Sequence, residues 1–471
     1  MITEKFLIKN EFYGSDKVIE IKNPFSGKTI KNVYKTNPEH INISLEYLES
    51  AFLKYKNIQA YLKAELLQVI TNKIKDRKEE LAQLITLEMG KPIKMSRLEI
   101  DRAVFTFQTG AEEARRINGE VIQIDQLKGA EGKTGIVKRF PIGIILAITP
   151  WNFPVNLVAH KLSPALASGN VVLLKPASAT LCCGLEIGKI VLEASKEIGL
   201  DFCPVNVITA SGSEIEKFVD DSRIKMVSFT GSPAVGWTMK KKLNMQKISL
   251  ELGGNAGVIV DKDADINIAA SKIAIGAFVN AGQSCISVQR VFVHKNIYKE
   301  FKNVLLEETK KIKYGNPFED DTIVGPMINE AEAIRTEKWL KESDGNIIIG
   351  GKREKALFEP TIVEGAGKKC NITAKEVFAP LLTLNDFSDF KKAVEELDDS
   401  EFGLQAGIFT NNLKHMQYAY ENIEVGGVII NDVSTFRMDS MPYGGVKQSG
   451  IGKEGVKYAI EEMTERKILV Y

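Results

Sequence analysis

The 471-residue sequence has little of what usually marks a protein's class at first sight. No stretch approaches the ~18 consecutive apolar residues of a membrane-spanning helix. The opening MITEKFLIKNEFYG holds neither a hydrophobic signal core nor a cleavage site, so a cytoplasmic protein with no membrane partner is expected. Net charge is nearly absent: 62 Lys and Arg against 61 Asp and Glu leave +1, too weak a field to gather a nucleic acid. Histidine is rare, with four residues at positions 40, 160, 294 and 415, none at metal-ligand spacing, and no metal is expected. Cysteine is scarce as well. Cys182, Cys183, Cys203, Cys285 and Cys370 are odd in number and irregular in spacing, which suggests neither a disulfide framework nor a CxxC zinc site.

What remains is an ordinary globular composition, 44% hydrophobic and 26% charged, in a chain long enough for two or three domains. Residues 1–35 read as short strands and turns, with Asn23-Pro24-Phe25-Ser26-Gly27 as one turn. Three helical segments follow, over 40–55, 62–89 and 93–117; the second carries its apolar stripe on Leu66, Ile70, Ile74, Leu81, Leu84 and Ile85 and is closed by Gly90 and Pro92. Residues 120–139 are polar and strand-like, as in a hairpin standing apart from a core. From Pro141 short apolar strands (IGIILAI, VVLLK, VNVI, MVSFT, ISLEL) alternate with helices over 154–168, 179–198, 213–220 and 232–242. That alternation predicts parallel βαβ units, with ligand sites at the carboxyl ends of the strands. After Gly253-Gly254 a second α/β series begins: AGVIV, a helix over 264–280, a strand from Val288 to Val293, helices over 296–312 and 329–343, NIIIG and GGVIIN. The tail gives one helix and a last strand over 467–471, a terminal edge open to pairing with another chain.

Cys285, in Gly282-Gln283-Ser284-Cys285-Ile286-Ser287, falls in the loop between a helix and a strand of the second series, a common place for a reacting side chain. A thiol that attacks a carbonyl needs an oxyanion donor and a base. Asn152, in Pro150-Trp151-Asn152-Phe153-Pro154, offers a side-chain amide in a strand-to-helix loop. Glu251, in Leu250-Glu251-Leu252-Gly253-Gly254, sits between apolar neighbours that would raise its pKa towards neutrality. Lys175 closes a buried strand before Pro176-Ala177-Ser178, and Gly231-Ser232 opens a helix whose N-terminus can hold a pyrophosphate. This is not the GxGxxG fingerprint, because the glycines of FTGSPAVG are Gly231 and Gly236 only.

Together with EVFAP at 376–380 and PYGGVKQSGIGKEG at 442–455, these motifs stand in an order that resembles the aldehyde dehydrogenase superfamily over essentially the whole chain. The nearest branch holds lactaldehyde, succinate-semialdehyde and non-phosphorylating glyceraldehyde-3-phosphate dehydrogenases. The resemblance implies two doubly wound parallel-sheet domains, a Rossmann-like cofactor domain (1–119 and 140–251) and a catalytic domain (252–430). It adds an oligomerisation extension (120–139 and 452–471) and a loop, 431–451, that returns to the cofactor domain. It makes Cys285 the nucleophile, Asn152 the oxyanion donor and Glu251 the base for water, the second substrate. Trp151, Lys175, Ser178, Gly231, Ser232, Leu252, Glu376 and Phe378 would contact NAD or NADP. Many NAD-preferring relatives have Glu at position 178; Ser178 removes a repulsion towards the 2′-phosphate, so NADP should be accepted. Phe153, Leu157, His160, Ser284, Ile286, Arg437 and Tyr443 would line the mouth for a short polar or anionic aldehyde, with Arg437 meeting an anionic tail. A homodimer or homotetramer is implied. Glu251 speaks against acyl transfer to CoA, and the intact trio of Asn152, Glu251 and Cys285 against a catalytically silent relative.

Overall fold

A computed structural model describes residues 3–471. Its centre is two sheets. The runs Ile144–Ile148 and Val171–Lys175 are buried at every position, as strands must be when helices cover both faces of a parallel sheet. They lie in an eight-stranded sheet in the order Gly450–Ile451, Lys247–Glu251, Ile224–Thr230, Ile144–Ile148, Val171–Lys175, Val205–Val207, Phe6–Ile8, Glu11–Tyr13. The five central strands run parallel and the edges antiparallel. A seven-stranded sheet follows, in the order Asn346–Ile349, Thr361–Glu364, Leu381–Phe387, Arg290–His294, Gly257–Val260, Gln405–Phe409, Gly427–Ile430, parallel except for its first pair. Apolar cores accompany them, around Leu146, Leu173 and Val227 for the first sheet, and around Val258, Val291 and Leu382 and around Ile259, Phe292 and Ile408 for the second. The fold is the α/β arrangement expected.

Register sets up the chemistry. Phe229 lies opposite Ile148, Ile148 opposite Lys175, and Thr230 opposite Glu251, so four strands deliver their carboxyl ends side by side. The loop with Cys285 leads into Arg290–His294, which pairs with Gly257–Val260 from its first residue. The amino end of the second sheet thus faces the carboxyl end of the first.

Several expected boundaries move. The helix expected over 62–89 is two, Ala60–Asp76 and Lys78–Met89, broken at Arg77, whose guanidinium bridges Glu80 and Glu186. Both halves keep a 3.6-residue apolar stripe, so the one-residue break leaves no trace in the pattern. The third helix ends at Glu113, and the segment at 213–220 is a single turn, Gly212–Ile215, closed by Ser211 and Glu214. The strand after Cys285 begins at Arg290 rather than Val288; the Val288 N–H donates to the Gly276 carbonyl at 3.2 Å instead of to a neighbouring strand.

A three-stranded sheet, Thr464–Val470, Thr134–Pro141 and Glu120–Gln123, stands apart. Its terminal strand starts at Thr464, earlier than Lys467, and pairs along its whole length with Thr134–Pro141. Helix Val456–Glu462, grouped with this extension on sequence, buries Val456 and Ile460 in the first core. Among the described residues no helix is long and apolar enough to cross a membrane.

Candidate active site

Residues from the facing ends of the two sheets enclose a cavity of about 630 Å³. Cys285 reaches it through a strained approach. Helix Ile266–Phe278, capped by Asp265, runs into the turn Val279–Gly282, where Asn280 (φ 56) and Ala281 (φ 55) are both left-handed. Such residues cost about 1–3 kcal/mol each and persist where the surroundings hold them. Gly282 (φ +65) packs so closely that a Cβ there would lie 2.0 Å from the carbonyl oxygen of Ala379, and Gln283 Oε1 accepts from Ile328 N at 2.8 Å. A Cβ on Gly254 would lie 2.1 Å from the carbonyl oxygen of Cys285, so the linker glycine lets the two motifs touch. The half-buried Cys285 places Sγ 3.1 Å from Tyr443 Oη. Burial pushes its thiol up to about 12, with the Tyr443 hydroxyl and Arg437 opposing the rise.

Asn152 faces the same cavity. Its Nδ2 donates to the carbonyl of Gln283 at 3.1 Å, while Oδ1 is buried with no hydrogen-bond partner among the described residues. A clamp missed on sequence holds its loop. Lys91 Nζ donates to the Asn152 carbonyl at 2.7 Å, lies 3.8 Å from the Phe153 ring centroid, and pairs with Glu99. Glu99 in turn accepts from the Val155 and Asn156 N–H groups at 2.9 and 3.1 Å. Glu251 is 3% exposed and neither carboxylate oxygen has a hydrogen-bond partner among the described residues. Burial, and then Glu454, raise its pKa well above the usual carboxylate range. Burial would lift Glu454 too, but Lys161, His160 and Arg437 outweigh it and hold Glu454 to about 2.

On one side of this centre Trp151, Gly231, Ser232, Leu252, Glu376 and Phe378 line the wall, with Trp151 edge-on to Phe378 at 5.6 Å. Ser232 opens helix Pro233–Lys242, whose first N–H groups receive no side-chain cap and so remain available to an anion. Glu376 accepts from Gly254 N at 2.9 Å, and burial lifts its carboxyl to about 7. Lys175 and Ser178 lie off this cavity wall. Lys175 is buried at its strand end, where desolvation lowers its pKa to about 8; Ser178 is exposed at the start of the turn Ser178–Thr180, whose Ala179 does reach the cavity. Uncapped N–H groups, a lysine with no ion-pair partner among the described residues and two aromatic walls fit a dinucleotide's phosphates, ribose and ring.

On the other side Phe153, Leu157, Ser284, Ile286, Arg437 and Tyr443 line the cavity. His160 does not: it is buried, its ring held by Asp439 of the returning loop with Nε2 2.7 Å from Oδ1. Arg437 is no solvated loop residue. Its guanidinium sits 3.6 Å from the Tyr443 ring centroid and 3.0 Å from Glu454, and its buried Nε, 3.9 Å from Asp439 Oδ1, has no hydrogen-bond partner among the described residues. Arg102, also missed on sequence, lines the cavity while holding Asp439 through two hydrogen bonds of 2.7 and 3.0 Å. Its signal was present: Glu99, Arg102 and Thr106 form a polar stripe at i, i+3 and i+7 beside buried Ile100, Ala103 and Phe107 in helix Ile93–Glu113.

Residues 12–469 match the aldehyde dehydrogenase family. The 3-sulfolactaldehyde dehydrogenase of Priestia megaterium is 42% identical over 98% of this chain and 97% of its own. Among solved structures, aldehyde dehydrogenase 21 of Physcomitrella patens in complex with its reaction product succinate superposes with a TM-score of 0.97 at 40% identity, covering 100% of this chain and 98% of that one. The glyceraldehyde-3-phosphate dehydrogenase GapN of Methanocaldococcus jannaschii, complexed with NADP, gives 0.93 at 37% identity over 97% of this chain and 100% of that one. With a family match along nearly its full length and a cysteine, an amide and a carboxylate converging on one cavity, the chain belongs to the aldehyde dehydrogenase family.

Proposed function

We propose that this enzyme oxidises a short aldehyde with an anionic tail to the carboxylic acid, using NADP or NAD, with Cys285 as nucleophile. The observation that carries the reading is the pair Arg102 and Arg437 on the cavity wall beyond Cys285, with the Arg437 Nε buried and without a hydrogen-bond partner among the described residues. An orphaned buried donor costs about 1–3 kcal/mol, which an incoming anion would relieve. The relatives named above act on, or hold, a sulfonated, a carboxylated and a phosphorylated molecule.

In this mechanism the Cys285 thiol loses its proton to solvent and the sulfur bonds to the aldehyde carbon. The oxyanion that forms is held by the Asn152 Nδ2 and the Cys285 N–H. When bound, a nicotinamide would supply the hydride acceptor for oxidation of the carbon held on the Cys285 sulfur to the thioester level. Glu251 then takes a proton from the water that attacks the thioester, and the acid leaves. Burial raises both Cys285 and Glu251 above their ordinary pKa values, so the acid limb of kcat/KM is displaced towards alkaline pH.

For the cofactor, Lys175 and Ser232 would meet the ribose and phosphates and Glu376 the nicotinamide ribose, and the exposed Ser178 leaves room for a 2′-phosphate. Five free cysteines suit a reducing cytoplasm, and the edge strand Thr464–Val470 would join a second subunit in a dimer or tetramer.

A panel of carboxylated, phosphorylated and neutral short aldehydes, assayed with NAD and NADP in parallel, tests the reading. Arg102→Gln should lower kcat/KM about tenfold or more for the anionic aldehydes and leave neutral ones nearly unchanged. Equal losses for both classes would remove the anion site, and a wild-type enzyme inert with NADP would remove the role given to Ser178.

A further inference from the structure

The tyrosine beside the nucleophile does more than wall the cavity. Tyr443 is 3% exposed, and its backbone is fixed by paired hydrogen bonds with Glu454, from Tyr443 N at 3.1 Å and from Glu454 N at 2.6 Å. The Arg437 guanidinium covers its ring at 3.6 Å. So held, its hydroxyl reaches one hydrogen-bond partner among the described residues, the Cys285 sulfur at 3.1 Å.

In the neutral pair either S–H or O–H can donate, and the bond is weak. Once the sulfur is ionised only the phenol can donate, and a charge-assisted bond is about twice as strong as a neutral one. The hydroxyl therefore favours thiolate over thiol. The charged groups around the sulfur divide: Glu376 and Glu251 disfavour the anion and Arg437 favours it. Arg437 is itself partly neutralised by Glu454, and its place on the ring face draws electron density from the phenol and strengthens the donor.

We propose that Tyr443 is a catalytic residue whose hydroxyl donates to the Cys285 thiolate and holds it ready for attack. This rests on Cys285 being the nucleophile. Tyr443→Phe removes only the hydroxyl and keeps the ring under Arg437, so the test isolates the hydrogen bond. The rate of Cys285 alkylation by iodoacetamide, followed on the Cys285 peptide by mass spectrometry across pH in full-length enzyme without substrate, should shift its midpoint upward by about one unit. That is about tenfold slower labelling on the rising limb. The acid limb of kcat/KM should move by the same amount. An unchanged midpoint, even with a raised KM, would overturn the proposal by reducing Tyr443 to a packing residue. A wild-type enzyme that keeps full turnover after Cys285 is alkylated would instead overturn the nucleophile on which it rests.

Discussion

Lys175 shows how much of the site is decided at single residues. Desolvation lowers its pKa to about 8, so it is charged at pH 7 and neutral above pH 9. The KM for NADP should therefore rise as pH passes through 8, approaching tenfold as the charge is lost, while the KM for NAD, which lacks the 2′-phosphate, rises less. Parallel KM measurements from pH 7 to 9.5 check this, and a flat NADP profile would place Lys175 away from the phosphates. At this scale the sequence was informative where a residue type is rare and sits in a motif: Cys285, Asn152 and Glu251 could all be picked out and all reach one cavity. It was uninformative where the neighbour that matters comes from far along the chain. His160 looked like a mouth residue until Asp439 took its ring nitrogen, and Arg437, expected at the mouth, gave no sign in the sequence that Tyr443 and Glu454 would enclose it.

Among elements, the loop Pro150–Pro154 owes its shape to a helix far upstream. Glu99 ties down the N–H groups at the start of helix Asn156–Ser168 and neutralises Lys91, which grips the Asn152 carbonyl. Glu99→Ala would leave Lys91 buried without a counter-charge, a loss of about 3–5 kcal/mol, and would free the loop that presents Asn152. A lowered denaturation midpoint together with a drop in kcat is expected; an unchanged midpoint would mean that the pair contributes no net stability. Asp439 makes a second tie. Burial alone would raise its pKa, but hydrogen bonds from His160 and Arg102 win and hold it well below the usual carboxylate range. The stability it contributes is present above the ordinary pKa of about 3.9 and is lost as pH falls further. Element types were readable because strand runs such as VVLLK and helix stripes differ in period. Boundaries were less so: the break at Arg77 preserves the stripe, and the strand after Cys285 starts late, with the Val288 N–H bonded to Gly276, a contact that only the folded chain supplies.

Over the whole molecule, two sheets meet end to end, and the chemistry occupies the seam. The first brings the Asn152 loop, Lys175 and Glu251 to its carboxyl end; the second brings Cys285 to its amino end; and Gly254 lets them close. The open edge strand Thr464–Val470 exposes Ile468, Leu469 and Val470, and under the proposed dimer or tetramer sedimentation should return more than a single-chain mass. The account stands or falls on Cys285 carrying the acyl group while Glu251 releases it. The most direct test is a single-turnover experiment on Glu251→Gln with a carboxylated short aldehyde and NADP, quenched and digested for mass spectrometry. One equivalent of NADPH per subunit in a burst, with the acyl mass on the Cys285 peptide, is the predicted result. Undiminished steady turnover, or a burst with no adduct on Cys285, would contradict it.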